Sequence, residues 1–147
     1  MAEAFFNHYA AGKAQAFSAG TQPATQVDSI VIKAMKEVGI DLSAQRPKLL
    51  TPQMVDEADK VVTMGCGVED VCPATWVPTE DWQLEDPEGK PVEKVREIRD
   101  SIKTRVKKLI AEIQQERKVY AHETEACVRK ALVNRNNGQE KVTCVLN

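Results

Sequence analysis

The chain has 147 residues, with 22 acidic against 20 basic side chains and a formal net charge of −2. That length suits one domain with a sizeable core, and that charge offers no global basic field for nucleic acid. No apolar run approaches a membrane span, the opening "MAEAFFNHYAAGK" lacks the build of a signal peptide, and four cysteines are too few for a disulfide-stapled miniprotein. Reduced thiols in a cytoplasm are therefore expected.

In chain order, residues 1–11 put Ala4, Phe5 and Tyr9 on one helical face, with Gly12 as the stop. "KAQAFSAGTQP" reads as a short strand running into a turn. Asp28 or Ser29 caps a helix over "SIVIKAMKEVG", whose Ile30, Ala34, Met35 and Val38 share a face and which ends at Gly39. Thr51 caps "PQMVDEA", with Pro52 in the first turn. "DKVVTMG" is a compact apolar strand, and "ATWVP" a further short one.

From Pro91 the pattern turns helical. Val92, Val95, Ile98, Ile102, Val106, Ile110 and Ile113 recur at three-to-four spacing and form one buried stripe. "HETEACVRKALVNRNNG" reads as one more helix ending near Gly138, with Cys127 a buried thiol rather than a catalyst. The final "EKVTCVLN" is β-branched enough for a strand. Strands separated by helices imply parallel pairing, here a three-layer α/β sandwich on a four-stranded parallel sheet, with ligands at the carboxyl ends of the strands.

Cys66 and Cys72 stand a short loop apart in "VVTMGCGVEDVCPATW". A zinc site needs four ligands, commonly in two close pairs, and His8 and His122 lie far away in sequence, so neither metal nor cofactor is expected. A permanent disulfide is unusual in a reducing compartment. Two readings stay open: inert thiols, or a dithiol that cycles. Gly65 and Gly67 flank Cys66 and give its backbone freedom to move.

The stretch "TEDWQLEDPEGKP" sets Asp86 directly before Pro87 in an acidic loop. Together with "MAEAFFNHY", "FSAGTQP", "MKEVGIDLSAQRPK" and "DKVVTMGCG", it closely resembles arsenate reductases of the low-molecular-weight tyrosine phosphatase superfamily, of the thioredoxin- or glutaredoxin-coupled type. The resemblance runs from Met1 to about Ile113, within a family-like body of residues 1–119. It implies an arsenate or phosphate oxyanion as ligand, a cysteine thiolate in a C-x5-R loop as nucleophile, and Asp86 as general acid. It further implies that Cys66 and Cys72 form the redox relay, recharged by a thioredoxin- or glutaredoxin-type reductant, and that Ser18 supports the anion loop. Met64 falls near a place where some relatives carry another cysteine.

Family members have a central strand and the nucleophile loop immediately before "MAE". The tail "EKVTCVLN" resembles that strand and the opening of the loop, with Cys144 matching the nucleophile and Asn147 the loop asparagine. On this expectation the chain is circularly permuted, residues 120–139 join the two parts, and residues 140–147 fill the central position; the alternatives are an internal start and an unrelated tail whose match is chance. The loop arginine would then fall between Asn147 and Met1, so weak or absent turnover is expected; Arg129 and Arg135 are expected at the surface. The alternatives to a reductase are a phosphatase acting on phosphotyrosine or a small phosphoester, and a non-catalytic oxyanion-binding remnant. Trp82 and the acidic residues around Asp86, where the phosphatases usually carry tyrosines, favour the reductase.

Overall fold

The computed structural model describes residues 1–65, 77–127 and 140–145, with residues 117–127 and 140–145 described by backbone only. Its elements in chain order are α1 (Ala2–Ala10), β1 (Ala14–Ala19), α2 (Ser29–Lys36), α3 (Pro52–Asp56), β2 (Lys60–Thr63), β3 (Thr79–Asp81), α4 (Val92–Cys127) and β4 (Glu140–Val145). The strands form one sheet in the order β1-β4-β2-β3, and every pair is parallel. β4, the last in sequence, is therefore interior. Ser18 pairs with Cys144 on one side of it, and Val62 pairs with Cys144 on the other.

Alternation along β2 shows why the sheet is covered on both faces. Val62 joins the main core with Phe5, Phe6, Met35 and the α4 stripe, whereas neighbouring Val61 packs with Val55 and Ala58 on the opposite side. Successive strand side chains point to opposite faces, so two buried neighbours require two covering layers. Among the described residues of α4 the buried apolar ones are Val95, Ile98, Ile102, Val106, Leu109, Ile110 and Ile113, while Val92 is only half-buried.

Local chemistry sets the helix ends. Asp28 Oδ1 accepts the Ile30 amide at 2.6 Å, and Thr51 Oγ1 accepts the Met54 amide at 3.3 Å, each satisfying a first-turn donor. α2 finishes at Lys36, and the chain then turns through Gly39 at φ +82°, where the Ile40 amide returns to the Met35 carbonyl at 3.1 Å. Arg99, buried at 8% exposure, ties α4 to α2 by donating to the Ala34 carbonyl at 2.8 Å and to Glu37 at 3.2 Å.

Two expectations are corrected. The strand expected at residues 74–78 is displaced: β3 spans Thr79–Asp81, and residues 74–76 lie outside the described residues. Apolar Trp76 and Val77 suggested the earlier position, but among the described residues pairing begins at the Pro78 carbonyl, which accepts the Val61 amide at 2.9 Å. β3 is an edge strand with polar, largely exposed residues, so it carries no apolar signal of its own. The second correction concerns residues 122–127, expected to open a separate helix. They continue α4 instead, for no glycine or proline interrupts it before Cys127. The expected helix end near Gly138 lies outside the described residues, as do Arg129 and Arg135.

Candidate active site

Parallel strands bring their carboxyl ends to one edge of the sheet, and a cleft of about 540 Å³ opens there. Its walls are the amino end of α1, the exit of β1 at Ser18–Gly20, the loop 45–48, the exit of β2 at Met64 and Gly65, and the segment 84–88. The loop 45–48 is pinned where the Gly20 amide donates to the Lys48 carbonyl and the Leu50 amide to the Gly20 carbonyl, both at 2.9 Å.

Asp86 lines this cleft, on its exposed rim. Its Oδ1 accepts the Glu88 amide at 2.9 Å, a turn that fixes the carboxyl ahead of Pro87. Next to it, a hydrogen bond and the charge of Lys90, with Lys94 adding, hold the Glu85 carboxyl below its ordinary range. Glu85 therefore stays ionised and engaged with lysines.

Ser18 lines the cleft from β1 and is tied to α1. Its amide donates to Glu3 Oε2 at 3.0 Å, and its hydroxyl donates to the same oxygen. The other Glu3 oxygen pairs with Lys48 at 3.3 Å. Glu3, Ser18 and Lys48 thus cross-brace α1, β1 and the loop 45–48 beneath the opening. A carboxylate in a helix's first turn is favoured by the helix dipole alone, so Glu3 gives no sequence sign of this bracing role. Arg46 is exposed at the same wall, a place its sequence context does not signal, since loop arginines are usually solvated.

Cys144 occupies the β4 position flanked by Ser18 and Val62, one residue short of that strand's described end at Val145. The fold therefore brings Ser18, the Cys144 backbone and the segment carrying Asp86 to one edge of the sheet. Cys66, Cys72 and Asn147 lie outside the described residues. Met64 is buried against the main core and also borders the cleft. Among the described residues no group of three or more His, Cys, Asp or Glu side chains could hold a metal ion, and no helix is long and apolar enough to cross a membrane.

An interior parallel strand and a cleft at the carboxyl edge of the sheet, rimmed by an Asp-Pro loop, define a phosphatase-like architecture. The chain belongs to the low molecular weight phosphotyrosine protein phosphatase family, matched over residues 1–119. Within that family its relatives include reductases. It is 41% identical over 117 residues to the glutaredoxin arsenate reductase of Synechocystis sp., covering 77% of this chain and 87% of that one. It is 38% identical over 112 residues to the arsenate reductase of Brevibacillus brevis, covering 74% of this chain and 81% of that one. A solved arsenate reductase in a phosphate-binding state superposes with a TM-score of 0.68 at 40% identity, over 76% of this chain and 86% of that one. The thioredoxin-dependent arsenate reductase of Corynebacterium glutamicum gives 0.67 at 36% identity, over 78% of this chain and 55% of that one.

Proposed function

We propose that the chain is an arsenate reductase whose nucleophile is delivered by β4. The observation that carries this reading is the register of β4, which sets Cys144 between Ser18 and Val62 at the edge where Asp86 rims the cleft. β4 then stands where the family's first strand would lie, as in a circular permutation, with residues 120–139 joining the two parts and Asn147 belonging to the anion loop.

The chemistry runs in two stages. The Cys144 thiolate attacks arsenic(V), forming a sulfur–arsenic bond, while Asp86 gives its proton to the departing oxygen, which leaves as water. A thiolate of the Cys66/Cys72 pair next attacks the Cys144 sulfur. The sulfur–arsenic bond breaks, its electron pair stays on arsenic, and arsenite departs as arsenic(III). Exchange with the remaining thiol leaves a Cys66–Cys72 disulfide, which a thioredoxin- or glutaredoxin-type dithiol reduces. Similarity to a glutaredoxin arsenate reductase and to a thioredoxin-dependent one supports this class of reductant.

Counting thiols before and after arsenate tests the assignment. Loss of the Cys66 and Cys72 thiols, abolished in Cys144→Ser, is the expected result. Hydrolysis of p-nitrophenyl phosphate that survives Cys66→Ser, with no thiol loss to arsenate, would instead assign the phosphatase chemistry for which the family is described. Neither signal would leave an oxyanion-binding protein without turnover.

A further inference from the structure

Asp81 closes β3 and pairs directly with Thr63, the last residue of β2. A single oxygen, Oδ1, accepts three hydrogen bonds: from the Thr63 hydroxyl at 2.9 Å, the Gly65 amide at 3.0 Å and the Gln83 amide at 3.2 Å. These donors come from two segments that leave the sheet side by side. One is the exit of β2, which reaches Gly65 just ahead of Cys66; the other is the exit of β3, which leads on towards Asp86.

The β3 exit is held independently of Asp81. Trp82 is buried at 2% exposure, its amide donates to the Thr63 carbonyl at 2.8 Å, and Arg105 of α4 donates to the Trp82 carbonyl at 2.6 Å. The β2 exit is fastened against this wall at van der Waals limits. Gly65 sits at φ +92°, and a Cβ there would meet Gln83 Cα, Leu84 N and Leu84 O, each at 3.1 Å. Gln83 itself holds a positive φ of 45°, which a non-glycine residue keeps only under constraint. The Thr63 hydroxyl bond, with the two amides, holds the Asp81 carboxyl below its ordinary range, so the acceptor stays charged at neutral pH.

We propose that Asp81 is a positioning residue for the thiol-dependent stage, its carboxylate fastening Gly65 to the β3 exit and so fixing the root from which Cys66 departs. The reaction it serves rests on the arsenate reductase reading; the fastening itself does not. Because all three donors converge on Oδ1, an asparagine oxygen can replace the carboxylate, whereas alanine cannot.

The test uses the full chain with Asp81→Ala, Asp81→Asn and Thr63→Val. In a glutathione buffer, glutathione disulfide is reduced to two glutathione thiols as Cys66 and Cys72 become oxidised to a disulfide. Asp81→Ala is expected to lower that equilibrium constant by about five-fold or more, the ratio set by freeing one ordered backbone position. Arsenate-driven thiol loss should slow by about ten-fold, while p-nitrophenyl phosphate hydrolysis, which bypasses the dithiol, stays within about two-fold. Asp81→Asn should match the wild type, and Thr63→Val should fall between the two. Should Asp81→Ala not fold, Thr63→Val carries the same comparison. An unchanged glutathione equilibrium in both Asp81→Ala and Thr63→Val overturns the proposal. So does an Asp81→Asn variant as impaired as Asp81→Ala, or an equal loss of the thiol reaction and the hydrolysis. Wild-type protein that closes the disulfide in glutathione yet loses no thiols to arsenate overturns the reductase reading alone, and the glutathione comparison still decides the role of Asp81.

Discussion

Asp86 and Asp81 belong to one short stretch but make different bonds. Among the described residues the Oδ1 of Asp86 accepts the nearby Glu88 amide, whereas that of Asp81 gathers donors from two segments. Asp86→Asn keeps an oxygen for the Glu88 amide and removes the transferable proton. It should leave thermal stability unchanged and slow arsenate-driven thiol loss by about 10²–10⁴-fold, measured under single-turnover conditions. Loss below about three-fold would remove Asp86 from the role of acid. The turn that sets Asp86 at the cleft was legible, since an Asp-Pro step marks a turn, whereas its role as acid rests on the resemblance and is what this variant tests. The brace between Glu3 and Ser18 was not legible, because its partners meet only after α1 folds back on β1. Asp81 was illegible for the same reason: its donors include Thr63 and Gly65 from another strand's end.

At the scale of elements, capping chemistry and spacing decided most boundaries. Asp28 before an apolar periodic run marked the start of α2, and its carboxylate does accept the Ile30 amide. Asp28→Ala should cost about 1 kcal/mol, read as a lower urea midpoint at unchanged slope. The stripe in α4 was readable because each buried residue recurs on the helical period, from Val95 through Ile113. β3 escaped detection since an exposed edge strand of Thr79, Glu80 and Asp81 is stabilised by its neighbour rather than by its own composition. The long run of α4 past residue 119 escaped for the opposite reason. Composition shifts there, yet a helix needs no apolar stripe to continue while good helix formers persist.

For the whole molecule, acid is the condition that should loosen the packing of α2 on α4. Hydrogen bonds and charge from Arg96, with Arg99 adding, hold Glu37 below its ordinary 4.5, and the Arg99 hydrogen bond holds Asp100 below its ordinary 3.8. Carboxyls depressed in the folded state stabilise it above their unfolded values and lose that contribution as the pH falls through the folded ones. The melting temperature should therefore be level above about pH 5 and decline towards about pH 3, more shallowly in Glu37→Gln and less steeply in high salt. A decline of equal slope in Glu37→Gln would remove Glu37 from the account. The interior place of β4 makes a separate prediction: amides of residues 141–145 should exchange with deuterium among the slowest in the sheet. Rapid exchange there would displace β4, and with it Cys144, from the site.

That placement also has a consequence for how the protein is made. β1 and β2 do not pair with each other, so until residues 140–145 emerge from the ribosome the nascent sheet is split in two, each piece with an open backbone rim. Joining them means closing residue 18 onto residue 144, a slow step by topology alone. Through that interval the rims are templates for intermolecular pairing. Yield in the cell should accordingly depend on chaperones that hold chains awaiting their last strand.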